Sequence, residues 1–440
     1  GLLSAEEAAE AGGSAKEAPR ADLKAAADPR RRVRAGAREA KERALRLAYE
    51  RWKEPGPGTE RGPGPGSAAY RNFSVGCRNW LPDYALFRAL EREYGTGDWT
   101  QWPEDIRGRQ PEELARAWQE HADEIGYVSF TQFVFRRQWN VLHAYARDRG
   151  IRVIGDIPIY VPLESADVWA KPDQFLLAPS GRPAEVAGCP PDAFSEEGQL
   201  WGYPLYNWER MRQDGYRWWI ERTGTLASLV DVLKIDHFRG FESYYSIPAG
   251  SPDAKSGMWK PGPGMDLVGR LTGWFPDLGM IAEDLGFLTE DVYRMLRESG
   301  LPGMKVLQFA FEAGTDSDYL PHKYDRNCVC YTGTHDNDTL AGWLSSCPAE
   351  DFAYAERYFG LNRREGYAWG VIRAGMASRA DLFMAQMQDY LELGSEARMN
   401  EPGTVNEKNW SWRLLPEEIE GEKADALAAR IHEMARLFGR

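Results

Sequence analysis

From Val153 onward, short apolar runs rich in β-branched residues alternate with helical segments, and no other feature of this chain constrains its fold as tightly. The runs Val153 to Val161, Val230 to Ile235, Met280 to Ala282, Met304 to Phe309, Cys328 to Tyr331 and Leu382 to Met387 read as strands. Asp291 to Ser299 and Ala349 to Arg357 read as helices between them. Such alternation builds a parallel sheet, so the expectation is an α/β fold, a (β/α)8 barrel carrying helical insertions. Asp236, Glu283 and Asp336 each follow one of these runs, in Leu233-Lys-Ile-Asp-His-Phe-Arg-Gly240, Met280-Ile-Ala-Glu-Asp-Leu-Gly286 and Tyr331-Thr-Gly-Thr-His-Asp-Asn-Asp338. A single acid after a strand ordinarily caps a helix or meets solvent. Three of them, on separate strand ends, fit the way a barrel assembles one active site.

Paired carboxyl groups are the basic equipment for cleaving a glycosidic bond with retention, one as nucleophile and the other as acid and then base. Longer motifs carry the same reading. Trp80-Leu-Pro-Asp-Tyr-Ala-Leu-Phe87, Trp102-Pro-Glu-Asp-Ile-Arg107, Gly155-Asp-Ile-Pro-Ile-Tyr-Val161, Pro190-Pro-Asp-Ala-Phe-Ser195, Gly198-Gln-Leu-Trp-Gly202, Gly303-Met-Lys-Val-Leu-Gln-Phe309 and Ser395-Glu-Ala-Arg-Met-Asn400 run in order along the chain. Through them the stretch from about Trp80 to Leu414 resembles the amylomaltases, the 4-α-glucanotransferases also called disproportionating enzymes, of the α-amylase clan.

The resemblance implies a role for each acid. Asp236 would be the nucleophile that forms a covalent glucosyl ester, its short side chain held by a rigid strand end. Glu283 would be the acid/base, kept protonated by a neighbouring carboxylate until the first step is done. Asp336 would grip ring hydroxyls and stabilise the transition state. His237 and His335, beside these acids, are expected to hydrogen-bond substrate. Asn400 closes a family motif and is taken as a substrate-binding residue. Asp156, which matches a clan-wide motif, either contacts substrate or holds loops together.

Lys234 stands where the family usually has Arg. Two residues before Asp236 on a strand, it shares that residue's face, so the cation is kept while the planar fork of a guanidinium is lost. Asp192, Gln199 and Trp201 lie in a segment, 187–206, that matches the family's loop over the acceptor sites. Tyr203 and Gln386 replace residues that are commonly Asn and Pro. A lid that excludes water favours transfer over hydrolysis. The expected function is 4-α-glucanotransfer between malto-oligosaccharides by retaining double displacement, with a hydrolase of the same clan or an inactive glucan-binding remnant as rivals. No cofactor and no metal is called for.

A net charge of −13 argues against nucleic acid as a general partner, and a neutral glucan needs no charge steering. The five cysteines, Cys77, Cys189, Cys328, Cys330 and Cys347, are scattered, and Cys328-Val-Cys330 has no second ligand pair at metal-binding spacing. Free thiols, and the lack of a signal-like or long apolar run, make a cytosolic protein without membrane association the expectation. Of the 17 Trp, most are expected in the core, with Trp201 the binding candidate.

Residues 1–150 are expected to form a mostly helical insertion subdomain. Ser4 and Glu7 suggest a capping box, and Ala40, Ala44, Leu45, Ala48, Tyr49 and Trp52 form one helical stripe. Arg30-Arg-Arg32 reads as a solvated helix face, and the Pro- and Gly-rich segment 55–66 reads as a flexible loop. Residues 151–440 would hold the catalytic barrel, yet only six strand runs appear where a barrel has eight. The expectation is that about two βα units of roughly 30 residues each are missing upstream.

Overall fold

The stripe that includes Ala48, Tyr49 and Trp52 is realised as one face of helix Arg34–Lys53, where all three are buried. In the computed structural model the described residues are 34–54, 64–191, 196–311 and 316–440. The capping box at Ser4, the Arg30 to Arg32 cluster, Asp192 and nearly all of the 55–66 loop lie outside them. Tyr49 and Trp52 pack on Phe130 of helix Ala122–Arg147, at ring-centroid separations of 5.5 and 5.1 Å. The Tyr49 hydroxyl donates to the Asp123 carbonyl at 3.1 Å. No Cβ would fit at Gly126, because it would fall 2.3 Å from the Tyr49 hydroxyl. Every described element from Arg34 to Arg147 is helical, and no helix among the described residues is long and apolar enough to cross a membrane.

The described chain separates into two compact units, one of Lys41–Gly300 and one of Leu301–Arg440 together with residues 34–40. The boundary expected near residue 150 falls inside the first unit. Helix Ala122–Arg147 is bonded to the turn that enters a strand: Arg136 Nη1 donates to Ser228 Oγ at 2.8 Å, and Trp139 Nε1 donates to Leu229 O at 2.7 Å. His143 Nε2 lies 2.8 Å from Asp231 Oδ2, which also accepts from the Val153 N–H at 2.9 Å.

In the first unit the strands are β1 (Ile154–Ile157), β2 (Glu185–Cys189), β3 (Gln199–Pro204), β4 (Val232–Ile235), β5 (Ser243–Pro248), β6 (Met258–Pro261) and β7 (Gly279–Ala282). They form a parallel sheet in the order β1-β4-β7 and an antiparallel sheet in the order β3-β2-β5-β6. Strand β1 stops at Ile157, short of the expected Val161, because Pro158 has no N–H for the ladder. The segment 187–206, expected as a loop, is largely the β2–β3 hairpin. Val186 anchors it against Tyr245, Ile247 and Ala254. Only glycine fits at Gly188, where a Cβ would lie 2.2 Å from the Gln199 carbonyl oxygen.

The second unit carries β8 (Gly303–Val306), β9 (Cys328–Tyr331) and β10 (Leu382–Met384), a parallel sheet in the order β10-β9-β8. All four residues of β9 are buried, as befits the middle strand of a parallel sheet covered on both faces. Leu307, Phe311, Trp369, Val371 and Ile372 share its core. Each of the six expected runs thus contains a parallel strand, and the architecture is α/β.

Candidate active site

Strand register sets the site in the first unit. Asp156 pairs with Lys234 across β1 and β4, and Ile235 pairs with Ala282 across β4 and β7. The ladder runs one residue further at both seams: Asp236 N–H donates to Ile157 O at 3.1 Å, and Glu283 N–H donates to Ile235 O at 3.0 Å. Asp236 and Glu283 therefore leave adjacent strands at the same level, and Lys234 and Asp156 sit on the rungs just before them, with Lys234 on the face of Asp236.

Lys234 joins the three acids. Its Nζ lies 3.0 Å from Asp156 Oδ2 and 3.2 Å from Asp236 Oδ1, and it donates to Glu283 Oε2. Its side chain is only 10% exposed. Burial works against its charge, but Glu283, Asp236 and Asp156 outweigh burial and raise its pKa. The carboxyl pair diverges. Burial, and then the Asp236 charge, push Glu283 up to about 8. Burial would raise Asp236 too, but the Lys234 charge and hydrogen bonds from Glu283 and Lys234 hold it below the usual carboxylate range. At neutral pH the pair is an ionised Asp236 beside a protonated Glu283, the division of labour that acid/base chemistry needs.

The exit from β4 fixes what surrounds the pair. His237 adopts φ 48, a left-handed conformation uncommon outside glycine, and the next N–H, that of Phe238, donates to Glu283 O at 3.1 Å. Burial lowers the His237 pKa to about 4, so its ring is neutral near pH 7. Trp201 meets that ring edge-on, with centroids 5.0 Å apart, and its Nε1 donates to Gln199 Oε1 at 3.0 Å. Tyr160 stacks on Tyr206 at 5.7 Å and supports Trp201 from 6.1 Å. The buried Arg239 was not singled out in the sequence. It donates to Phe287 O and to Ser243 Oγ and lies 3.7 Å from the Trp259 ring centroid, so it pins the chain just past Glu283.

Asp336, His335 and Asn400 belong to the second unit. Asn400 Nδ2 donates to Asp336 Oδ1 at 2.6 Å, its backbone N–H donates to His335 O at 3.1 Å, and His335 Nε2 lies 3.5 Å from Asp336 Oδ2. Arg398 Nη2 donates to Asp336 O at 2.7 Å, while its Nε donates to Asn400 O at 2.8 Å. Gln386 Nε2 holds Thr334 O at 2.9 Å. The Trp410 ring lies 4.9 Å from His335 and is more than half exposed. Neither Arg398 nor Trp410 was picked out individually from the sequence. Arg398 lies within Ser395-Glu-Ala-Arg-Met-Asn400, and Trp410 stands in Asn409-Trp-Ser-Trp412 with no signal to separate it from a core aromatic.

With this geometry in place, comparison with known proteins decides the family: residues 5–418 match the 4-alpha-glucanotransferase family. The chain belongs to that family. It is 44% identical to the 4-alpha-glucanotransferase of Clostridium butyricum over 374 residues, 84% of this chain and 76% of that protein. It is also 44% identical to the 4-alpha-glucanotransferase of Thermus thermophilus over 401 residues, 90% of this chain and 79% of that one. Among solved structures, the amylomaltase from Streptococcus agalactiae in complex with acarbose matches with a TM-score of 0.87 and 34% identity, covering 94% of this chain and 81% of that one. The amylomaltase from Corynebacterium glutamicum, 18% identical, shares the fold with a TM-score of 0.75, covering 98% of this chain and 63% of that one. The α/β fold expected from the sequence is that of these amylomaltases.

Proposed function

We propose that the chain is a retaining 4-α-glucanotransferase acting on α-1,4-glucans and malto-oligosaccharides, with Asp236 as nucleophile and Glu283 as acid/base. One observation carries the reading: the two carboxyl groups leave neighbouring strands at one level in opposite protonation states, with Lys234 joined to both. A pair in such close contact leaves no room for the water that an inverting pair, about 6.5–9.5 Å apart, must hold.

Asp236 attacks the anomeric carbon, the glycosidic C–O bond breaks, and the departing oxygen takes the Glu283 proton. An ester links the donor glucan to Asp236. In the second half an acceptor 4-hydroxyl gives its proton to Glu283, its oxygen attacks the anomeric carbon, and the ester bond breaks to restore the Asp236 carboxylate. Lys234 keeps Asp236 anionic and, by drawing down the Glu283 pKa, eases release of the Glu283 proton to the departing oxygen. Asp336, oriented by Asn400 and backed by Arg398, binds ring hydroxyls. Neutral His237 adds hydrogen bonds to substrate, and so does His335. Trp201 offers an apolar face to an acceptor glucose, and Gln199 orients it. Asp192, by its place in the family motif, is assigned to the acceptor side. Asp156, joined to Lys234, positions that cation.

The complex of the Streptococcus agalactiae amylomaltase with acarbose supports a glucan-like ligand here. Five free cysteines suit the reducing cytosol, where starch- or glycogen-derived maltodextrins would be the substrate. Incubation with maltotriose tests the assignment. Glucose together with longer oligosaccharides is the expected product set, and reducing-sugar gain with no longer products would point to hydrolysis instead.

A further inference from the structure

The helical part of the first unit contains a cavity of about 400 Å³, within the roughly 300–1,000 Å³ typical of small-molecule sites. Its walls come from helix Ala68–Gly76, helix Ala122–Arg147 and the turn at Ser228. Phe73 and Phe133, with ring centroids 5.5 Å apart, give it an apolar side. Arg136, Arg137 and Asn140 give it a polar one.

The charge of this cavity is one-sided. Among the described residues no Asp or Glu lines it, although the chain has 67 acids against 54 bases. Elsewhere the arginines commonly find carboxylates, as Arg46 finds Glu124 at 2.5 Å and Arg109 finds Asp83 at 2.6 Å. Arg136 instead donates to Ser228 Oγ and to Ser228 O, at 2.8 and 3.2 Å. Arg137 lies 5.7 Å from the Phe133 ring centroid, and neither arginine has a carboxylate partner among the described residues. Two guanidinium groups lining one cavity present more donors than one carboxylate can accept, whereas a phosphate offers three oxygens to two forks.

We propose that this cavity binds a small phosphorylated sugar, its phosphate held by Arg136, Arg137 and Asn140 and its ring lying against Phe73 and Phe133. A sugar ring brings an apolar face for the aromatic wall as well as hydroxyls for the open rim. The site is separate from the acids of the glucan chemistry and does not depend on that assignment.

Titration calorimetry on the full chain tests it, with glucose 1-phosphate, inorganic phosphate and glucose as probes and with saturating maltotriose present to occupy glucan sites. Glucose 1-phosphate is expected to bind saturably, inorganic phosphate more weakly, and glucose not at all. Arg137→Gln, which removes no side-chain hydrogen bond among the described residues, should weaken glucose 1-phosphate at least tenfold while leaving maltotriose turnover unchanged. Arg136→Gln should weaken it similarly, with folding checked by the thermal transition. No saturable binding, binding abolished by maltotriose, equal binding of glucose, or unchanged binding in Arg137→Gln would each overturn the proposal. Inorganic phosphate binding as tightly as glucose 1-phosphate would overturn the role given to the aromatic wall.

Discussion

Asp156 and Lys234 stand directly across from each other in neighbouring parallel strands, and their side chains close the rung at 3.0 Å. The ammonium is thereby fixed between a backing carboxylate and the two acids assigned to the chemistry. A lysine in this place acts as a point charge with three donors, one for each acid, where a guanidinium would act as a planar fork.

Lys234→Ala should therefore lower transfer by roughly 10- to 100-fold, because Asp236 loses the charge that holds it ionised and Glu283 the one that eases its proton release. Lys234→Arg should hold or raise activity. Maltotriose disproportionation rates for the three proteins check this, and equal rates would remove Lys234 from the site.

Asp236→Asn should reduce transfer by about 10⁴-fold or more, since no nucleophile remains to form the ester. It should also lower the Glu283 pKa, because the Asp236 charge is the second largest cause raising it. Near-normal disproportionation by the variant would sink the assignment.

The pH profile follows from the carboxyl pair. Glu283 must be protonated for the first step, so activity should fall as pH rises through about 8. Asp236 must be ionised, and its lowered pKa places the acid limb below the usual carboxylate range. Lys234 lowers both pKa values, so Lys234→Ala should shift both limbs toward higher pH. Rates of kcat/KM against pH read the two limbs directly, and limbs that do not move in the variant would contradict this coupling.

Asp389 predicts a stability effect away from the reacting groups. It is fully buried, accepts from Leu340 N–H at 2.7 Å and from Thr332 Oγ1 at 2.6 Å, and burial raises its pKa to about 6. Asp389→Ala leaves both donors unmet and should cost about 1–3 kcal/mol for each. Because the folded pKa lies above the unfolded value, this carboxyl's favourable contribution is full below about pH 4 and is lost as pH rises through about 6. The melting-temperature gap between wild type and Asp389→Asn should widen from pH 6.5 down to pH 4.5, and a constant gap would refute it.

Trp201→Ala should raise the ratio of hydrolysis to transfer more than it lowers total cleavage, because water gains access while the carboxylates stay in place. Glucose release and reducing-sugar gain from maltotriose measure both outcomes. Both rates falling equally would make Trp201 a packing residue for His237.

The parallel strands were legible because each is a short apolar run followed by a polar turn, and the acids Asp236 and Glu283 mark two of the ends. Where the sequence overshot, local chemistry explains it: Pro158 stops β1, and Met387 opens a short helix beyond β10. The antiparallel sheet was not legible, since Gly188, Gly198 and Gly202 punctuate the segment like a loop, and its pairing partner, β5, lies dozens of residues away. Lys234 could be placed on the face of Asp236 from the two-residue period, but its bond to Glu283 depends on the register between β4 and β7. The support of Asp336 by Asn400 and Arg398 spans more than 60 residues of chain and has no local signature.

The bonds that Asp231 makes to His143 and to the Val153 N–H lie at the far end of the strands that deliver Asp156, Lys234 and Asp236. Five residues of extended chain separate Asp231 from Asp236, about 16 Å. A strand is stiff along its length, so a slip at this end is delivered undiminished to the other, and a slip of one residue would turn Lys234 away from its partners. Asp231 acts as an alignment pin. Lesions there would mimic active-site lesions in their kinetics while touching neither sugar nor acid.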